Sequence, residues 1–316
     1  MEGMLSIGGS RVQMGLLNVG KNVNGQVGLV GNTASDVKGL QLGLLGNEST
    51  NLVQGIQFGS INIAKEISGL QFGIVGSIAS GDMTGIQVGS VTVANNVTGL
   101  QYGIVGSVAT GDMKGIQVGS VTAAKNAMGL QLGLTANLAN GEMTGVQFGI
   151  VGSIASGDMT GIQVGSVTVA KNVTGLQLGI VGSVASGDMT GIQVGSVTAA
   201  KNATGLQVGI VGSVASGDMT GVQIGSANGA INTKGLQLAL TANIASGDMT
   251  GAQVSVGGNI ASVVSGIQAS IIYNQAESLS GIQVGLINIK TKNSEERCLS
   301  DGMMGFSPII NVCLKK

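Results

Sequence analysis

Seven acidic residues recur at one place in a repeating phrase: Asp82, Asp112, Glu142, Asp158, Asp188, Asp218 and Asp248. A methionine follows each: Met83, Met113, Met143, Met159, Met189, Met219 and Met249. Regularly spaced carboxylates suggest a calcium-binding solenoid, and a row of thioethers offers soft ligands for copper(I) or an adaptable face for a partner. Neither chemistry is well served. Calcium takes several oxygen ligands per ion, and one carboxylate for every two repeats is too sparse. Hydrolysis by paired carboxylates needs two acids converging in a cleft, which a regular repeat does not supply. Turn geometry alone accounts for Asp and Gly in "SGDM", and the methionines are expected to pack over that corner. Lys65, Lys125, Lys171 and Lys201 recur at the other turn, where solubility and edge protection explain them.

Cys298 and Cys313 both follow the last repeat. They either close a disulfide that staples the C-terminal end or remain two thiols in a reducing compartment, and the compartment decides which. The chain has no histidine, so the commonest general base and transition-metal ligand are missing. Gly-x-Gly-x-x-Gly matches mean little in a chain with 57 glycines. The reading is of a protein that is not an enzyme, with no catalytic residue, no cofactor and no metal site.

Composition narrows the rest. The 316 residues are only 9% charged, against roughly 25% in an ordinary soluble domain. A net charge of −1 sets up no long-range field, so nucleic acid is not an expected partner. The apolar share of 43%, much of it β-branched, argues against disorder. No apolar run is long enough for a membrane-spanning helix. The start, "MEGMLSIGGSRVQMG", lacks the charged and apolar regions of a clear signal peptide.

These residues are set in a repeat. About nineteen units centred on Gly-x-Gln cover residues 10–290, so residues 1–290 read as one β-repeat domain and 291–316 as a C-terminal cap or tail. Units mostly alternate between 14 residues ("GIQVGSVTAAKNAT") and 16 ("GLQVGIVGSVASGDMT"), with a spacing of 15 near the end. Within a unit the apolar and polar positions alternate with period two, the strand signal. Ile192 and Val194 are expected on one face, with Gln193, Gly195 and Val197 on the other. Frequent glycine argues against a helix, at roughly 1 kcal/mol each.

An all-β protein follows, with two architectures in play. In a β-solenoid with about one unit per rung, translation gives each unit the same surroundings, which explains why every unit carries Gly-x-Gln-x-Gly. Glutamines stacked at about 4.8 Å form an amide ladder. The candidate ladder is Gln71, Gln87, Gln101, Gln117, Gln131, Gln147, Gln163, Gln177, Gln193, Gln207, Gln223 and Gln237. One unit per rung alternates Asp with Asn at the corner. Two units per rung would stack Asp188 on Asp218, a repulsion of roughly 1 kcal/mol. The alternative is a closed antiparallel barrel of about 18 strands in an outer membrane, as a pore or channel. Mean hydropathy of +0.43 suits it, whereas 2% aromatic content does not supply interfacial girdles. A membrane is a partner only in that alternative.

"QMGLLNVG" (Gln13 to Gly20), "QFGSINIA" (Gln57 to Ala64) and "QVGLINI" (Gln283 to Ile289) read Gln-x-Gly-x-x-Asn. In this the chain resembles bacterial surface-repeat proteins built of tandem G-x-Q-x-G-x-x-N units, and echoes the curlin repeat of functional amyloid fibres. Most middle units carry Ser or Thr in place of the Asn, as in "QVGSVTVA". The resemblance implies a cell-envelope location, at the cell surface or outer membrane, and no particular enzyme activity. With low charge and apolar strips, the expected role is a rod that associates with itself as a fibre, sheath or scaffold. A surface module that adheres to a polymer is a further alternative.

Overall fold

The computed structural model describes residues 5–7, 12–291, 297–298 and 306–314. The described residues are strands joined by tight corners, with no helix among them. The fold is a β-solenoid. The chain divides into two compact units, Met1–Gly157 and Asp158–Lys316.

In the first unit, Val97–Ala109 pairs in parallel with Met83–Ala94 on one side and Asp112–Ala124 on the other, Gln101 lying between Gln87 and Gln117. In the second, Asp188–Ala200 lies in the same way between Val173–Ala185 and Asn202–Ala215. Each Gly-x-Gln unit is thus one coil. Within the repeat, strands on successive coils run parallel, so the antiparallel closed wall of a barrel is not this fold. Asp188 stacks on Asn202, as one unit per rung requires.

The two unit lengths differ by one residue at each of two corners. The short coil steps from Gly195 to Val197 where the long coil steps from Gly209 to Gly212. The other extra residue sits in Ser-Gly-Asp, opposite Lys-Asn. Side chains of the short coil repair both mismatches. Ser196 Oγ donates to the Ile180 carbonyl at 2.7 Å. At the other corner Asn202 Oδ1 accepts the Asp218 N–H at 2.9 Å, and Asn202 Nδ2 donates to Asp188 Oδ1 at 2.8 Å. The asparagine amide thereby replaces a peptide group that the shorter coil lacks.

The corner after Gly195 also corrects the expected faces. Gln193 and Gly195 point inward, but Val197 is 45% exposed and Thr198 takes the inward place. The turn advances the alternation by one residue, which period-two counting cannot foresee. The methionines are corrected too. They fill the interior and are at most 1% exposed, not laid over a corner or offered to a partner or copper. In the second unit Met189 stacks between Val173 and Ala203. Alternating long and short side chains close the space, a task that suits the flexible thioether.

Candidate functional site

The sequence marks two features, the glutamine column and the two cysteines. All twelve candidate glutamines lie inside the coil with at most 1% of their surface exposed. In the first unit Nε2 of each Gln donates to Oε1 of the preceding one from Gln26 to Gln147, at 2.6–3.1 Å. In the second the same chain runs from Gln177 to Gln283, at 2.7–2.9 Å. Many of these side chains also reach a backbone carbonyl across the interior. Gln193 Nε2 reaches the Ala199 carbonyl and the Ser183 carbonyl, both at 3.0 Å. Only an amide on a two-carbon arm both stacks and spans, which is why Asn or Thr does not replace it here.

A second polar column, on the opposite inner wall, was not legible as such in the sequence. It consists of the Asn, Ser and Thr that stand three residues after the second Gly of a short coil, as Thr198 does, or four after that of a long coil, as Ser213 does. Asn18 Nδ2 donates to Asn32, Asn32 to Asn47 and Asn47 to Asn62, at 2.7–2.8 Å. In the second unit Asn228, Asn243, Asn259, Asn274 and Asn288 repeat this at 2.8–2.9 Å. Each Asn donates toward the C-terminus, whereas each Gln donates toward the N-terminus. The two columns therefore carry opposed amide dipoles. A strict donor order leaves the first acceptor of each Asn run empty, and Asn18 Oδ1 and Asn228 Oδ1 are buried without a hydrogen bond. Before Asn228 stands Ser213, whose hydroxyl donates instead to the Ile224 carbonyl at 3.1 Å. Ser213→Asn should supply the missing donor and raise stability by about 1 kcal/mol, read as a higher urea midpoint. Thr122 donating to Asn137 at 2.6 Å is the precedent for an Asn above a Thr in this column.

Cys298 and Cys313 are joined by a disulfide. Cys313 is fully buried against Val264, Ala276 and Leu279. Its strand, Phe306–Leu314, runs antiparallel on the last coil, pairing with Gly281–Ile289. This strand completes both columns. Asn311 Nδ2 donates to Gln283 Oε1 at 3.2 Å, and the Ser307 carbonyl accepts from Asn288 Nδ2 at 3.1 Å. One strand thus gives a donor where the Gln column ends in an acceptor, and an acceptor where the Asn column ends in a donor. It reverses the strand direction, so it closes the edge without presenting another parallel rung.

The acidic residues serve the corner, as Asp188 does. Among the described residues no three side chains of metal-binding type come together.

What remains is the outside. From Gly55 to Ile289 the arc of every coil from Gly-x-Gln to the following Ala carries no charged residue. On this arc in the first unit, Tyr102 and Phe148 form one wall, Ile104 and Leu134 another, and Gly103 and Gly119 the floor of a hollow of about 420 Å³. A second hollow in this unit, of about 480 Å³, lies between Met14 and Phe58 on one side and Leu44 and Ile74 on the other. Phe58 stacks on Phe72 with ring centroids 4.9 Å apart. At the position that Phe58, Tyr102 and Phe148 occupy in the first unit, the second has no aromatic residue and carries Leu178, Val194, Val208 and Ile224. Its Ile180 and Ile210 stand correspondingly proud, 77% and 74% exposed against 62% for Ile104. The sequence carried the signal for this surface in its Ile-Val pairs, but not the side on which they lie.

No protein-family model matches the chain, and neither the curated proteins nor the solved structures give a match.

Proposed function

We propose that the chain is a non-enzymatic structural protein, a rigid β-repeat that associates with itself as a fibre, sheath or scaffold at the cell surface. The observation that carries this reading is the uncharged apolar arc, which recurs on coil after coil while the polar amides are spent inside. Contiguous exposed apolar surface of this kind marks an interface. A net charge of −1 adds little repulsion between copies. The Cys298–Cys313 disulfide supports an oxidising compartment, as a surface location requires. The Gln-x-Gly-x-x-Asn resemblance to surface-repeat proteins points the same way.

The test is electron microscopy and light scattering of the purified chain over a wide concentration range. Filaments, bundles or sheets that grow with concentration are expected. Dispersed monomers at every concentration would overturn the reading.

A further inference from the structure

We propose that the occupant of the first unit's apolar hollows is a second copy of this chain, inserting the Ile180–Ile210 ridge of its own second unit. This rests on the self-association proposed above and names the two unlike surfaces that meet. The hollows are floored by glycine and walled by Phe58 in one and Tyr102 in the other, with no charged lining residue. Whatever enters them must be apolar, narrow and repeated. The ridge is all three. Ile180 and Ile210 are its most exposed points, each with a Val beside it, Val181 and Val211, at 61% and 62% exposure.

The periods agree because both surfaces come from the same alternation of long and short coils. In the second unit the projecting pairs Ile180–Val181 and Ile210–Val211 stand two coils apart, about 9.6 Å at a rise of about 4.8 Å. Ile104 and Leu134 bound their hollow at the same two-coil interval. Charge agrees as well, since Asp and Lys stand on other corners and bring no like charges together. Each buried Val, Leu or Ile removes on the order of 100 Å² from water, against about 800 Å² per partner in a standard interface. Several coils must therefore engage at once, which a shared period permits. Where the contact is head-to-tail, one copy's hollows and the other's ridge stay free, and the assembly extends through them.

Two variants of the full chain test this. Ile180→Lys with Ile210→Lys charges the ridge, and Phe58→Lys with Tyr102→Lys charges both hollows. All four positions are more than 40% exposed, so lysine can extend into water. At a concentration where the wild type assembles, each variant alone should sediment as a monomer and need at least tenfold more protein to associate. An equimolar mixture should give one-to-one pairs and grow no further, because the intact ridge of one variant meets the intact hollows of the other. A mixture that stays monomeric, or variants that assemble like the wild type, would overturn the proposal while leaving self-association standing. A wild type that never assembles would remove both. Far-UV circular dichroism checks the fold. Should lysine disturb it, Ile180→Ser with Ile210→Ser and Phe58→Ser with Tyr102→Ser serve in the same mixture.

Discussion

Gly205→Ala should destabilise the protein by about 4 kcal/mol and open it to proteolysis near that coil. Gly205 has φ of +122°, outside the range that residues with a Cβ adopt without strain. Space forbids the substitution as well. An added Cβ would stand 2.2 Å from the Gly191 carbonyl oxygen and 3.1 Å from its carbonyl carbon. Those atoms are backbone of the coil below and cannot rotate away. The same corner recurs on neighbouring coils, with φ of +128° at Gly191 and +125° at Gly221. The column of corner glycines is thus what lets the strands follow one another so closely. Gly182→Ala is the comparison. Its Cβ would meet the Val197 carbonyl oxygen at 3.6 Å, an ordinary contact. A change of under about 1 kcal/mol is expected there. Equal effects on the urea midpoint for the two substitutions would refute this account of the corner.

Gln193→Ala should cost a similar amount, about 4 kcal/mol, for a different reason. It leaves Gln177 Oε1 without its donor and Gln207 Nε2 without its acceptor, and frees the Ser183 and Ala199 carbonyls inside the coil. Each buried polar group left unpaired costs about 1–3 kcal/mol, and the vacated side chain adds a cavity. Thr190→Ala, three residues earlier on the same strand but exposed, should change stability by less than about 0.5 kcal/mol. The double substitution Gln193→Ala with Gln207→Ala separates a ladder from a set of independent buried amides. The first substitution already breaks the link between the two, so the second removes less. The pair should fall short of additivity by about 1–2 kcal/mol in a double-mutant cycle. Strict additivity would mean that the column does not act as a unit. Because each coil touches only its neighbours, the damage should be local, and several probes along the chain are needed to measure it.

These expectations show where the sequence sufficed. Translation along one axis was readable from Gly-x-Gln recurring in every unit, because only like neighbours above and below impose one residue on every coil. The alternation of Asp188 with Asn202 fixed the size of the rung by excluding stacked carboxylates. Both inferences need only the chain's period and the cost of placing like groups together, and a linear sequence contains each.

Which side each residue faces was decided by the tertiary structure. Period two holds along a straight strand, and the corner after Gly195 breaks it, so Val197 went outward and Thr198 inward. The methionines went inside because the volume beside Val173 and Ala203 had to be filled, and volume is a property of the closed coil. The opposed polarity of the Gln and Asn columns, and the antiparallel strand that completes both through Asn311 and Ser307, depend on atoms brought together from distant parts of the chain. Sequence spacing states which residues repeat; hydrogen-bond direction and filled space arise only when the coils close on one another.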